Sequence, residues 1–172
     1  EQIFRSGQRL QETLDSVLQL SRLESGAYQL EGNPVQLDVI VREVAQELNL
    51  RAYEKGVQLE VENPGASVEA RLDETATRRV VTNLVENAIK FTPEGGEVQV
   101  RAEPEDEETV LLEVEDTGVG IAENAKPKIF DAFKQESDGL SREYEGSGLG
   151  LSIVDRLTTG MDGTIEVESE KG

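Results

Sequence analysis

Residues 83–91 read NLVENAIKF, and two asparagines four residues apart, Asn83 and Asn87, stand in a stretch otherwise patterned for a buried helix. Asn is a poor helix former because its amide competes with the backbone for hydrogen bonds, so an ordinary exposed face would carry Glu, Lys or Gln. On a helical wheel Asn83, Glu86, Asn87 and Lys90 share an arc of roughly a hundred degrees, while Leu84, Val85, Ala88, Ile89 and Phe91 fill the other side. The arc is open to two readings. It is a solvated face with incidental asparagines, or an amide oxygen there holds a metal while the lysine meets phosphate. Mg²⁺ suits the second reading, since it takes few protein ligands and completes its shell with water and phosphate oxygens.

Working outward from this helix, Asp73 is its expected cap, and Thr92-Pro93 ends it before Gly95-Gly96. Upstream, the amphipathic pattern predicts a helix from Leu37 to Lys55 that stops at Gly56. The alternating strand VQLEVEN, the turn Pro64-Gly65 and a short strand SVEARL follow it. Residues 2–24 place Ile3, Leu10, Leu14, Val17 and Leu18 close to a helical stripe that needs a partner to be buried. Ser25-Gly26 stops that helix, and a short extended piece, AYQLEG, leads to the turn signal Asn33-Pro34. The expected division is therefore 1–26 as an appended helix, 27–33 as a linker and 34–172 as the main domain.

Downstream, EVQVRAE and TVLLEVE alternate around the acidic loop PEDEE, which predicts a hairpin. DTGVG at 116–120 then follows a strand directly. Read alone it is a plain turn; alternatively, Asp116 is a buried carboxylate that accepts a hydrogen bond from an exocyclic amine while Gly118 and Gly120 let backbone approach a flat ring. GSGLGL at 146–151 opens a helix, LGLSIVDRLTT, where backbone N–H groups and the helix dipole favour phosphate. It is neither a dinucleotide fingerprint nor a P-loop, since its third glycine is Gly150 and no Gly-Lys-Ser/Thr follows. A flexible hinge is the other reading, compatible with a lid formed by KQESDGLSREYE, which supplies Arg142 and Tyr144. A last strand, TIEVES, is expected after Gly160 and Gly163.

Composition narrows the chemistry. With no cysteine and no histidine, disulfides, thiolate sites, imidazole bases and imidazole ligands are all excluded, so any metal sits on oxygen. The 172 residues suffice for one domain with a short appended element, and a 36% hydrophobic content is enough for a core. A net charge of -19 argues against nonspecific nucleic-acid or anionic-membrane binding, and fits a halophilic or a merely very soluble protein equally well. No apolar run is long enough to span a bilayer, and EQIFRSGQRL lacks a signal-peptide pattern.

Together NLVENAIKF, DTGVGI, IFDAF and EGSGLGL, in this order and with these separations, resemble the N, G1, F and G2 boxes of the ATP-binding domain of sensor histidine kinases, in the GHKL superfamily. DETATRRVVTNL and GTIEVES also resemble family segments. LSRLESG and the helix before it resemble the second helix of the dimerisation and phosphoacceptor hairpin. The resemblance implies an α/β (α+β) two-layer sandwich, a mixed sheet packed on helices, preceded by one long N-terminal helix. It implies ATP and Mg²⁺ as cofactors. Asn87 would coordinate the metal, Lys90 would contact phosphate, Asp116 would recognise the adenine amine, and Asn83 would line the same site. Gly118, Gly120 and Ile121 would border the base; Gly146, Ser147, Gly148, Leu149 and Gly150, with Arg142 and Tyr144, would enclose the phosphates. The implied partners are the phosphoacceptor hairpin of the same kinase, as a homodimer in the full protein, and a response-regulator receiver domain. The implied location is cytoplasmic, with neither nucleic acid nor membrane touched by this stretch.

Where hydrolysing relatives of the gyrase and MutL type carry a glutamate base, this chain has Asn83, which cannot take a proton. The family's acceptor histidine is absent, so the expectation is a chain that begins after the helix carrying it. ESEKG ends where relatives usually continue through a glycine turn into another strand, so a sheet short of one edge is expected, and TTGMDG departs from the commoner bulky residue before Met. The rival readings are a noncatalytic nucleotide-sensing or interaction module and a GHKL-type ATPase. Glu86 is expected to be a solvated helix charge.

Overall fold

The computed structural model describes residues 2–25, 29–62, 67–106, 109–133 and 148–171. Helix α1 (Gln2–Glu24) leads to strand β1 (Asn33–Gln36) and helix α2 (Leu37–Lys55). Gly56 ends α2 at φ 74, a left-handed conformation in which its N–H reaches the Ala52 and Tyr53 carbonyls. Strands β2 (Gln58–Glu62) and β3 (Glu69–Leu72) precede helix α3 (Glu74–Phe91); β4 (Glu97–Pro104), β5 (Val110–Asp116) and helix α4 (Gly150–Gly160) complete the order.

The sheet is mixed, in the order β2-β4-β5. β2 runs parallel to β4 with Gln58 opposite Glu97, and β4 pairs antiparallel with β5 from Val98–Asp116 to Pro104–Val110, which makes the expected hairpin. β1 and β3 form a separate antiparallel pair. In β4, Val98, Val100 and Ala102 are buried while Glu97 and Gln99 face solvent, the period-two pattern of a sheet with one face covered. The cover is α2 and α3, whose Val41, Val44, Val81, Val85 and Ile89 complete one core cluster. This is the two-layer sandwich that the resemblance implies.

A second cluster joins Leu20 of α1, Ala76 and Val80 of α3, Leu149 just before α4, and Ile153, Val154 and Leu157 of α4, with Leu23, Leu30, Leu84 and Met161 against it. Two expectations change here. The α1 stripe that finds a partner is Leu20 and Leu23, whereas Leu10, Leu14 and Leu18 stay exposed. Among the described residues, 163–171 join no ladder, although Ile165, Val167 and Ser169 turn inward and Thr164, Glu166 and Glu168 outward. Period-two alternation reports which side faces the core; it does not supply a strand within hydrogen-bonding reach.

Among the described residues, no helix is long and apolar enough to cross a membrane.

Candidate functional site

Helix α3 is placed by its cap. The Asp73 carboxylate accepts the Ala76 N–H at 2.8 Å, and its second oxygen accepts the Glu31 N–H at 3.0 Å, tying the segment after α1 to the start of α3. From there the polar arc turns toward the start of α4. The Asn83 amide nitrogen donates to the Arg79 carbonyl at 3.0 Å, and its oxygen faces α4. A Cβ added at Gly150 would lie 3.2 Å from that oxygen and 3.7 Å from the Asn87 amide nitrogen. The two asparagines and the opening of α4 are therefore neighbours, and only a residue without a side chain lets them approach without adjustment.

The glycine segment before α4 is shaped by φ 69 at Gly148, whose carbonyl accepts the Phe133 N–H at 3.0 Å. Leu149 is fully buried in the second cluster, and its carbonyl accepts the Ile153 N–H at 3.0 Å and the Ser152 hydroxyl at 2.8 Å, so it serves the packing of α4 rather than an open surface. Arg142, Tyr144, Gly146 and Ser147 lie outside the described residues.

At the other end of α3, Lys90 is half-buried with its ammonium 4.7 Å from the centroid of the Phe91 ring. Burial lowers its pKa below the ordinary lysine value, and the charges of Arg51 and Lys55 push in the same direction. A half-buried cation beside two others in a protein this acidic is a local positive site. Glu86 is not simply solvated. It pairs with Arg51 of α2 across the helix interface.

Asp116 closes β5 and is exposed rather than buried, with one oxygen accepting the Gly118 N–H at 2.8 Å. Two acceptor sites on its other oxygen remain for a ligand amine. The turn leans on α3, for the Val119 N–H reaches the Phe91 carbonyl at 3.3 Å, and a Cβ at Gly118 would meet that same carbonyl. Gly120, at φ 66, is crowded by the Glu170 carbonyl, and the Ile121 N–H donates to Ser169 Oγ at 2.9 Å. The chain's own last described residues thus explain Gly120, while Asp116 and α3 explain Gly118.

Arg51 and Lys55, near the site, belong to none of the motifs, and Phe91 closes NLVENAIKF without a polar group to mark it. Phe91 falls on the apolar side of the wheel, yet the residue is 36% exposed beside the Asp116 turn. Arg51 and Lys55 read as ordinary charges on an amphipathic helix. Only helix packing brings them to α3.

The donor chemistry fits a hard cation shared with a ligand. No group of three or more carboxylates gathers among the described residues, so the oxygen donors on the polar arc of α3 are chiefly neutral amides. The arrangement offers amides, backbone N–H groups and cations, but no nucleophile and no base at Asn83. Its chemical competence is to hold a polyanion.

A family model described as "Histidine kinase-, DNA gyrase B-, and HSP90-like ATPase" matches residues 72–172. The chain is 36% identical over 173 residues to the autoinducer 2 sensor kinase/phosphatase LuxQ of Vibrio parahaemolyticus serotype O3:K6, covering 97% of this chain and 20% of LuxQ. It spans about a fifth of the length of such curated relatives, 23% for the circadian input-output histidine kinase CikA of Synechocystis, at 35% identity over 99% of this chain. The crystal structure of full-length ShkA in complex with AMPPNP superposes with a TM-score of 0.83 at 36% identity, covering 98% of this chain and 34% of that one.

Proposed function

The chain belongs to the histidine kinase-, DNA gyrase B- and HSP90-like ATPase family as an ATP-binding module of the histidine-kinase type, and from that membership we propose that it presents Mg-ATP for transfer of the γ-phosphoryl group to a histidine on a partner hairpin. The observation that carries this reading is the meeting of Asn83 and Asn87 with Gly150 at the start of α4. Lys90 binds phosphate, Asp116 accepts the adenine amine through its free oxygen, and the exposed face of Phe91 contacts the base. Asn87 holds Mg²⁺, which when bound neutralises phosphate oxygens. Asn83 keeps its amide fixed on Arg79 and takes no proton, so the site withholds ATP from water until an acceptor arrives. The remaining contribution is positioning.

Residues 1–26 are the remnant of the hairpin, with α1 as its second helix, 27–33 the linker and 34–172 the nucleotide-binding body. The acceptor histidine, a second copy for dimerisation and a receiver domain are the partners of the whole kinase, in the cytoplasm.

The test has two steps. Asn87→Ala should weaken ADP binding by about tenfold or more with magnesium and little without it, as read by calorimetry; equal losses in both conditions would remove the metal role. Supplying Mg-ATP and a separate histidine-bearing hairpin should yield acid-labile phosphohistidine. Retained ATP binding without transfer would favour a sensing module instead.

A further inference from the structure

Helix α3 ends with four carbonyls that have no partner within a helix, and each of them is accounted for here. The Ala88 carbonyl accepts the N–H and the hydroxyl of buried Thr92, at 3.0 and 2.7 Å. The Phe91 carbonyl accepts Val119 N–H from the Asp116 turn. The two between them, Ile89 and Lys90, are both met by one side chain, Lys55 Nζ of α2, at 2.7 Å for Ile89 and in a shorter contact for Lys90. These are charge-assisted bonds, made at the helix end where a cation is favoured.

We propose that Lys55 is a positioning residue of the nucleotide site: by gripping the Ile89 and Lys90 carbonyls it fixes the last turn of α3, and with it the Phe91 carbonyl on which the Asp116 turn rests. The chain of contacts is short. Lys55 holds the backbone of Lys90, the proposed phosphate contact, and the next residue carries both the ring and the carbonyl that face the base end. One side chain on a different helix therefore sets the spacing between phosphate and base contacts. Gly56 supports this placement, since its left-handed turn directly after Lys55 brings its own carbonyl to the Gly95 N–H at 2.7 Å, closing α2 against the segment after α3. Burial lowers the Lys55 pKa, with Arg51 adding to the effect, consistent with an ammonium turned into the protein.

The inference rests on the nucleotide reading for its consequence but not for its geometry, and the experiment separates the two. Lys55→Met and Lys55→Arg are compared with the unaltered chain by amide hydrogen exchange without ligand and by ADP calorimetry with magnesium. In Lys55→Met, exchange at Gly118 and Val119 should accelerate about tenfold or more while α1 and the β1-β3 pair are unchanged, and ADP affinity should fall about five- to thirtyfold. The affinity loss should persist at roughly 0.5 M salt, where a purely Coulombic loss is screened, and Lys55→Arg should recover most of both readouts. Unchanged exchange at Gly118 and Val119 in Lys55→Met overturns the positioning role whatever ADP does. Accelerated exchange in a chain that binds no ADP leaves Lys55 as the anchor of this turn and removes the nucleotide reading instead.

Discussion

The two ends of α3 are held by different means. At its start the anchor is local: Asp73 caps the helix from the preceding position, and Thr77 returns its N–H and hydroxyl to the Asp73 carbonyl at 2.8 and 2.7 Å. At its end the anchors come from far along the chain, Lys55 from α2 and Val119 from the turn after β5. The start also belongs to the cluster that docks α1 and α4, whereas the end belongs to the cluster that covers the sheet. Asn83 and Asn87 lie between them, so the site spans a joint between two cores. The proposed nucleotide contacts at one end and the docking of α1 at the other thus bear on the same helix.

The largest effects should come from emptying either core. Ile89→Ala and Leu157→Ala each remove a buried side chain and should cost about 2–5 kcal/mol, read by denaturant unfolding. They should differ in where the chain loosens. Leu157→Ala should speed amide exchange in α1 through the Leu20 contact, and Ile89→Ala should not; equal loosening of α1 by both would mean that the two cores act as one.

Next in size is the cap. Asp73→Ala removes both the Ala76 and the Glu31 contacts and should cost about 1–2 kcal/mol. Asp73→Asn should recover part of it. If the alanine variant is within 0.5 kcal/mol, on the order of an ordinary surface change, the start of α3 is held by packing and not by its cap.

A smaller effect concerns protons. Lys90 has a lowered pKa in the native chain, so it loses its proton at a lower pH than the same residue unfolded. Between those two values the unfolded state binds more protons, and this residue's contribution to stability therefore rises with pH across that alkaline window. A bound polyphosphate favours the charged form. ADP binding in the window should thus take up protons, measured as a dependence of calorimetric enthalpy on buffer ionisation heat. Lys90→Arg, charged throughout, should reduce the uptake, leaving the part due to Lys55; uptake unaltered by this change would show that Lys90 does not face the phosphates.

The smallest effect belongs to Arg51 and Glu86, whose side chains are 57% and 38% exposed. Glu86→Gln should change stability by less than about 1 kcal/mol. A larger loss would make the α2-α3 ion pair a further anchor of the helix, comparable with Lys55.

Much of this architecture is readable from residue order. The cap at Asp73, the stop at Gly56, the β4-β5 hairpin and the helix opening at Gly150 each depend on neighbours a few positions away, and local sterics or hydrogen bonding decide them. The polar arc of Asn83, Asn87 and Lys90 follows from helical periodicity alone, and the order of the four boxes identifies the family. What periodicity does not carry is which surface meets which. Residues 163–171 alternate like a strand yet form no strand among the described residues, and α1 carries two apolar stripes, of which the one at Leu20 and Leu23 is covered.

The residues around the site divide along the same line. Sequence by itself determined a nucleotide-binding family, the helix that bears the asparagines and the absence of any histidine to accept a phosphate. Tertiary structure alone decided that Gly150 lies against Asn83 closely enough for a Cβ to require an adjustment, that Gly120 is crowded by Glu170, and that Lys55 closes the helix carrying Lys90. These contacts join residues separated by tens of positions, from 34 for Lys55 and Ile89 upward. Their existence depends on distances set by packing, which no local pattern of residue types encodes.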